Sequence, residues 1–139
     1  MPRPIDMPIG ERERLWRSVR PDQLLDDGRP APDAMDGEWT SVVREKYATS
    51  CRDALSSERP SQSVVVETTR ERLPERFVTN GVAYMIWPQD APNDADSAHA
   101  EIRFARESVG VTEPRAPSSR AAKTQFKMLV ANSMLVVML

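Results

Sequence analysis

The sequence has one cysteine, one histidine and only five glycines among its 139 residues. A single cysteine, Cys51, excludes an internal disulfide and is typical of a reducing compartment, so we expect a cytoplasmic protein. One histidine and one cysteine are too few ligands for a structural zinc site. No GxGxxG, GxxxxGK[ST], GxSxG or HExxH pattern occurs, which excludes the common phosphate-binding loops and hydrolase turns. We therefore expect neither a cofactor nor a bound metal.

A surplus of charge of one sign and a long apolar run are also missing. Nineteen basic residues face 21 acidic ones, for a net charge of −2, which argues against a chain built to coat nucleic acid. The only strongly apolar segment is Phe126–Leu139, shorter than the roughly 20 residues that a membrane helix needs. Hydrophobic residues make up 40% of the chain, enough for one ordinary core.

The first half predicts two helices. Residues 1–10 contain three prolines and predict an extended arm, followed by a single domain over residues 11–139. Leu15, Trp16 and Val19 share one side of a possible helix over residues 11–19. Over residues 39–57 apolar residues recur every four positions, which predicts a second helix, although residues 40–44 fit a short strand equally well.

The second half predicts strands and a final helix. Residues 63–68 contain three successive valines, residues 81–87 are apolar on both faces, and residues 99–104 alternate, as strands do. Ser118 or Ser119 caps a predicted helix that runs to about Ala131. Residues 134–138 are most simply a last strand, with a continuation of the helix as the alternative. The predicted class is α+β, with a small mixed or antiparallel sheet of three to five strands and two or three helices.

Four short stretches, in this order, resemble a group of small, uncharacterised bacterial proteins. They are Leu15-Trp16-Arg17, Asp27-Gly28-Arg29-Pro30, Ser41-Val42-Val43-Arg44 and the stretch from Pro92 to Ile102, which ends in His99-Ala100-Glu101-Ile102. The resemblance spans Leu15 to the final helix and implies a strand followed by a helix at Ser41. It supplies no catalytic role, and the apolar end Met134–Leu139 departs from it.

The sharpest candidate for catalysis is His99, Glu101 and Arg103. On a strand these three side chains project from one face, about 6.5–7 Å apart. A glutamate base, a histidine acid and an arginine for a phosphate are what metal-independent cleavage of RNA requires. The alternative is a solvated strand face with ordinary polar residues.

Two further candidates have simpler structural alternatives. Asp94, Asp96, His99 and Glu101 offer oxygen ligands for a hard cation, or else belong to a solvated acidic loop. Cys51 is a possible nucleophile only with a base beside it, for which His99 is the one available histidine. The alternative is a buried structural thiol.

The remaining signal is a separation of charge. Residues 22–38 and 88–98 are acidic, whereas residues 114–139 contain basic side chains and no acidic one. Such a molecule can bind a partner of opposite charge. We predict an accessory or regulatory subunit that binds another protein or itself and has no catalysis of its own, with the ribonuclease as the alternative. The predicted partner-binding residues are Arg120, Lys123, Lys127, Met134 and Val136.

Overall fold

The computed structural model describes residues 2–112 and 114–139. Within them the chain forms seven strands and one α-helix, α1 (Arg120–Asn132). The strands are β1 (Arg14–Val19), β2 (Thr40–Arg44), β3 (Val64–Thr69), β4 (Arg76–Thr79), β5 (Val82–Asp90), β6 (His99–Arg106) and β7 (Leu135–Met138). They form one antiparallel sheet in the order β4-β5-β6-β2-β1-β3-β7. The protein is α+β, but the prediction of three to five strands with two or three helices is wrong.

Strand β1 occupies the segment predicted to be a helix. It lies between β2 and β3, and both of its faces are covered. Leu15 and Val19 belong to the hydrophobic core, while Trp16 on the opposite face is buried and donates its indole N–H to Glu67 (2.9 Å). A strand covered on both faces loses the simple alternation of apolar and polar residues. The apolar residues of β1 are therefore spaced in the sequence like those on one side of an amphipathic helix.

The helix predicted over residues 39–57 is wrong, and so is the helix that the resemblance implies after Ser41. The alternative, a strand over residues 40–44, is confirmed as β2. Beyond β2 the chain makes two short 3-10 turns, Glu45–Tyr47 and Cys51–Ala54. The Ser50 hydroxyl accepts a hydrogen bond from a backbone amide two residues on (3.2 Å), and local bonds of this kind compete with helix formation.

The other predicted elements are confirmed. The strands expected over residues 63–68, 81–87 and 99–104 are β3, β5 and β6. The C-terminal helix is α1, capped by Ser119, and the segment after it is the strand β7.

Strand β4 forms a hairpin with β5 and was not expected. Its turn is Asn80-Gly81, where both residues have positive φ, 52° and 78°, and Thr79 pairs with Val82 across it. A two-residue turn with this backbone favours the pair Asn-Gly. That dipeptide is the sequence signal for β4, which the hydrophobic pattern alone does not reveal.

Helix α1 packs on one face of the sheet, here called the core face. Phe126 of α1 stacks on Phe104 of β6, with ring centroids 4.3 Å apart. The opposite, or open, face carries the side chains that alternate with the core residues of β6, namely His99, Glu101 and Arg103. No helix in the described residues has the length and apolar character needed to cross a membrane.

Candidate functional site

The ribonuclease candidates lie together on the open face, but two of them neutralise each other. Arg103 donates two hydrogen bonds to one carboxylate oxygen of Glu101, at 2.6 and 3.2 Å. The Arg103 guanidinium also lies 5.5 Å from the centre of a Trp39 ring. The acid and the cation are thus engaged with each other and are not presented as free groups to a phosphodiester.

His99 makes a separate set of contacts. Its Nδ1 lies 2.8 Å from the Ala91 carbonyl oxygen, and its Nε2 lies 3.4 Å from the Ser41 hydroxyl oxygen. A carbonyl only accepts, so Nδ1 carries the proton and Nε2 of the neutral ring accepts from Ser41. Ribonuclease activity stays a prediction that this geometry does not favour, because the imidazole contacts Ala91 and Ser41 while Glu101 and Arg103 are paired with each other.

His99 lines a cleft of about 400 Å³ on the open face. Its lining includes residues from β1, β2 and β6: Trp16, Arg17, Ser41, Val42, Val43 and His99. Burial lowers the pKa of Arg17, whose guanidinium donates to two backbone carbonyls and to Asp36. These hydrogen bonds of Arg17 stabilise the lining of the cleft, so its guanidinium is not a free cation within it.

The candidate metal ligands do not assemble into a site. Asp96 accepts the Ala98 amide N–H (2.9 Å), while His99 and Glu101 have the partners described above. Within residues 2–112 and 114–139, no group of three or more His, Cys, Asp or Glu side chains could hold a metal ion.

Cys51 is half-buried in the second 3-10 turn. The cleft that it lines contains the carboxylates of Glu45 and Glu67, and its one cation, Arg14, lies 3.8 Å from both of them. His99, the histidine base required by the nucleophile prediction, lines the other cleft. A nucleophilic thiol needs a base or a cation that lowers its pKa, and no histidine stands beside this one.

The predicted partner-binding cations lie on α1. Arg120 is exposed at its first turn. Lys123 and Lys127 line a cleft of about 370 Å³ together with Arg115 and Glu38. These side chains form the most basic concave surface among the clefts described here.

The apolar candidates lie at the C-terminal end. Met134 is fully buried and Val136 is partly buried against the core, so neither contributes much to the surface. The exposed apolar residues are their neighbours: the exposed fraction is 46% for Leu135, 43% for Val137 and 86% for Leu139. Successive residues of a strand point to opposite faces. The two predicted residues, Met134 and Val136, are therefore the ones whose side chains point toward the core.

A buried network of charged groups was not predicted. Arg44 of β2 is 1% exposed, and its guanidinium binds Glu13 (2.8 and 2.9 Å) and Asp90 (3.0 Å). Asp90 also accepts two hydrogen bonds of 2.7 Å from Arg3. The network fastens the predicted N-terminal arm, residues 1–10, to the sheet. Nothing in the sequence around Arg44 distinguishes it from a surface arginine.

The network keeps its charges at neutral pH. Burial alone raises the pKa of Asp90, but hydrogen bonds from Arg3, the Asp6 amide and Arg44 outweigh it and lower that pKa to about 2. Burial alone lowers the pKa of Arg44, but its carboxylate partners raise it above the usual value. Ile9 in the arm is fully buried, whereas Met1 lies outside the described residues. The arrangement is suited to holding the arm in place and not to proton transfer near neutrality.

Comparison with known proteins adds no relative to this picture. No family model, no curated protein and no solved structure matches the chain.

Proposed function

We propose that the protein binds another protein as an accessory or regulatory subunit, with no catalysis of its own, and that the outer edge of β7 is its docking surface. The observation that carries this proposal is the character of that edge. β7 is the last strand of the sheet, bonded to β3 on one side. None of its four residues is charged, and Leu135 and Val137 are nearly half exposed.

An open strand edge presents unpaired N–H and C=O groups on which a further strand can form. Proteins commonly block such edges with charged residues, proline or short bulges. At the opposite edge of this sheet, β4 begins with Arg76, which is paired with Glu107 (3.0 Å). β7 has no charge of this kind along its length.

The chemistry of the edge defines its occupant. An added strand would gain backbone hydrogen bonds and apolar contact with Leu135 and Val137. The edge has no charge with which to pair, so the partner segment is an extended, apolar strand of another protein. Arg120, Lys123 and Lys127 of α1, the element before β7, remain proposed contributors to the rim of the interface. The single cysteine supports the cytoplasm as the compartment in which the two proteins meet.

The test uses matched charge substitutions on β7 and on the hairpin at the other end of the sheet. The Leu135→Lys/Val137→Lys double variant places cations on β7. The control, Val78→Lys/Val82→Lys, places them on exposed positions of the β4–β5 hairpin, where the exposed fractions are 58% and 40%. Tagged full chains are expressed in the native host, captured proteins are identified, and amide hydrogen exchange is measured with the recovered partner. Thermal unfolding of each variant checks that it folds.

We expect one partner that the parent chain and the control retain and that the β7 variant loses. Residues 135–138 should exchange more slowly in the complex. Recovery of no partner, or of one that both double variants retain, contradicts the proposal. A dimer of the chain itself that the β7 variant dissociates also contradicts it, because the occupant would then be a second copy.

A further inference from the structure

The cleft on the open face that contains His99 also contains an exposed serine, Ser41. Its volume is about 400 Å³, enough for a small organic molecule. A serine hydroxyl is a weak nucleophile by itself and becomes reactive when a base beside it can take its proton. This cleft, called below the open-face cleft, therefore contains both groups that a reactive serine requires.

The register of the sheet brings the serine and the histidine together. Val43 of β2 pairs with His99 of β6, and Ser41 lies two residues before Val43. Residues two apart on a strand share a face, and long side chains reach a diagonal neighbour on the adjacent strand. His99 Nε2 lies 3.4 Å from Ser41 Oγ, and a hydrogen bond between a nucleophile and its base is commonly this long before substrate binds.

The imidazole is held in the tautomer that a base for Ser41 needs. Nδ1 of His99 donates to the Ala91 carbonyl (2.8 Å), and the Ala91 amide donates in return to the His99 carbonyl (3.1 Å). With its proton on Nδ1, the neutral ring directs the lone pair of Nε2 toward Ser41. A group bound to the second nitrogen orients the base in serine nucleophiles generally, and here that group is a backbone carbonyl.

A second exposed serine in the open-face cleft provides an internal comparison. Ser56 lines the same cleft, but its hydroxyl oxygen accepts a hydrogen bond from the backbone amide of Glu58 (3.2 Å). An amide N–H cannot take a proton from the hydroxyl, so this contact does not activate Ser56. The two serines share the cleft and differ in whether a base stands beside the oxygen.

We infer that Ser41 is a nucleophile, with His99 as its base, and that small activated esters acylate it. As Ser41 Oγ bonds to the ester carbonyl carbon, Nε2 of His99 takes the hydroxyl proton. The tetrahedral intermediate then loses the leaving oxygen, which keeps the electron pair of the broken bond and receives the proton from the imidazolium. The products are a Ser41 ester and a free phenol or alcohol.

This acylation is a single modification of the chain and requires no turnover, so it is compatible with an accessory subunit that has no catalysis of its own. The strands β1 and β3 lie between β2 and β7 in the sheet. The inference therefore stands or falls independently of the protein partner proposed at the β7 edge.

The test exposes the full chain to p-nitrophenyl acetate and follows acetylation by intact mass and peptide mapping. Ser41 should be acetylated at least tenfold faster than Ser56, because a positioned general base contributes about 100-fold or more. His99→Gln should slow the acetylation of Ser41 at least tenfold for the same reason. Ser56→Ala should change the rate at Ser41 less than twofold, and Ser41→Ala should leave no acetyl group on that peptide.

Amide resonances of the variants check that each one folds. The comparison of Ser41 with Ser56 is made within the parent chain, so it does not depend on the folding of any variant. Equal acetylation of the two serines would overturn the inference, as would the same rate at Ser41 in the parent and in folded His99→Gln. Acetyl groups found only on lysines or on the imidazole, or no acetylation, would also overturn it.

Discussion

The guanidinium of Arg3 donates two hydrogen bonds of 2.7 Å to the carboxylate of Asp90, 87 residues further along the chain. The same guanidinium lies 3.5 Å from the centre of the Tyr47 ring. The N-terminal arm is thereby held both by β5 and by the turn that follows β2. A charge-assisted, two-pronged bond of this kind fixes geometry as well as adding energy, so the arm is an integral part of the fold.

Acid should weaken this attachment in a defined pH range. The pKa of Asp90 is about 2 in the folded protein, against 3.8 as the ordinary value. A carboxylate whose pKa is lowered on folding stabilises the protein fully above the unfolded value, and this stability is lost as pH falls through the folded value. We expect a loss of about 2 kcal/mol between pH 4 and pH 2 from this group. Urea unfolding across that range measures it.

The control for this pH dependence is Asp90→Asn, which cannot titrate at this position. The variant should lack the part of the acid-dependent loss that belongs to Asp90. The same decline in the parent and the variant would assign the effect to other carboxylates.

Removal of the Asp90 charge should also destabilise the protein at neutral pH. Asp90 is the carboxylate that both Arg3 and the buried Arg44 bind, so its loss removes two ion pairs and leaves Arg44 paired with Glu13. We expect Asp90→Asn to lower the free energy of unfolding by about 3 kcal/mol at pH 7. Glu45→Gln, at a pair with Arg14 that is 58% and 41% exposed, should cost less than about 0.5 kcal/mol. Equal effects of the two variants would contradict a special role for the buried pair.

The strands that could be predicted are those with an unambiguous pattern. Val64–Thr69 contains successive valines, and His99–Arg106 alternates apolar and polar residues, so both were identified. Arg14–Val19 was misassigned because its two faces are both covered in the folded protein. Which side of a segment becomes covered depends on residues far away in the chain, and the local period does not contain that information.

The candidate sites were likewise predictable where a local sequence pattern fixes a residue's position, and not where a distant contact does. Strand periodicity correctly placed His99, Glu101 and Arg103 on one face, and the predicted C-terminal helix, which contains Lys123 and Lys127, is α1. The partners of these groups were not predictable, because hydrogen bonds such as that between Arg44 and Glu13 join residues 31 positions apart. Asp90 belongs to the acidic stretch 88–98, and nothing in the local pattern shows that it ends β5 as a buried residue.

The sequence offers Ser118 and Ser119 as alternative N-caps of α1, and the structure distinguishes between them. The hydroxyl of Ser119 accepts the amide N–H of Ala122 (3.2 Å), as an N-cap residue does. We expect Ser119→Ala to lower the free energy of unfolding by about 1 kcal/mol. Ser118→Ala, one residue earlier, should change it by less than about 0.5 kcal/mol. Denaturant titrations of the two variants provide the comparison, and a larger loss at Ser118 would mean that the helix begins elsewhere.

The tautomer of His99 offers a direct test of the open-face geometry. The Ala91 carbonyl can only accept a hydrogen bond, so the neutral ring must carry its proton on Nδ1, 2.8 Å away. Long-range proton–nitrogen NMR of the single imidazole at alkaline pH should show the Nδ1–H form. Ser41→Ala should leave this tautomer in place, because Ser41 contacts the other nitrogen. A ring protonated on Nε2, or a mixture of both forms, would show that the imidazole is not held by Ala91, and the orientation of His99 toward Ser41 would then be wrong.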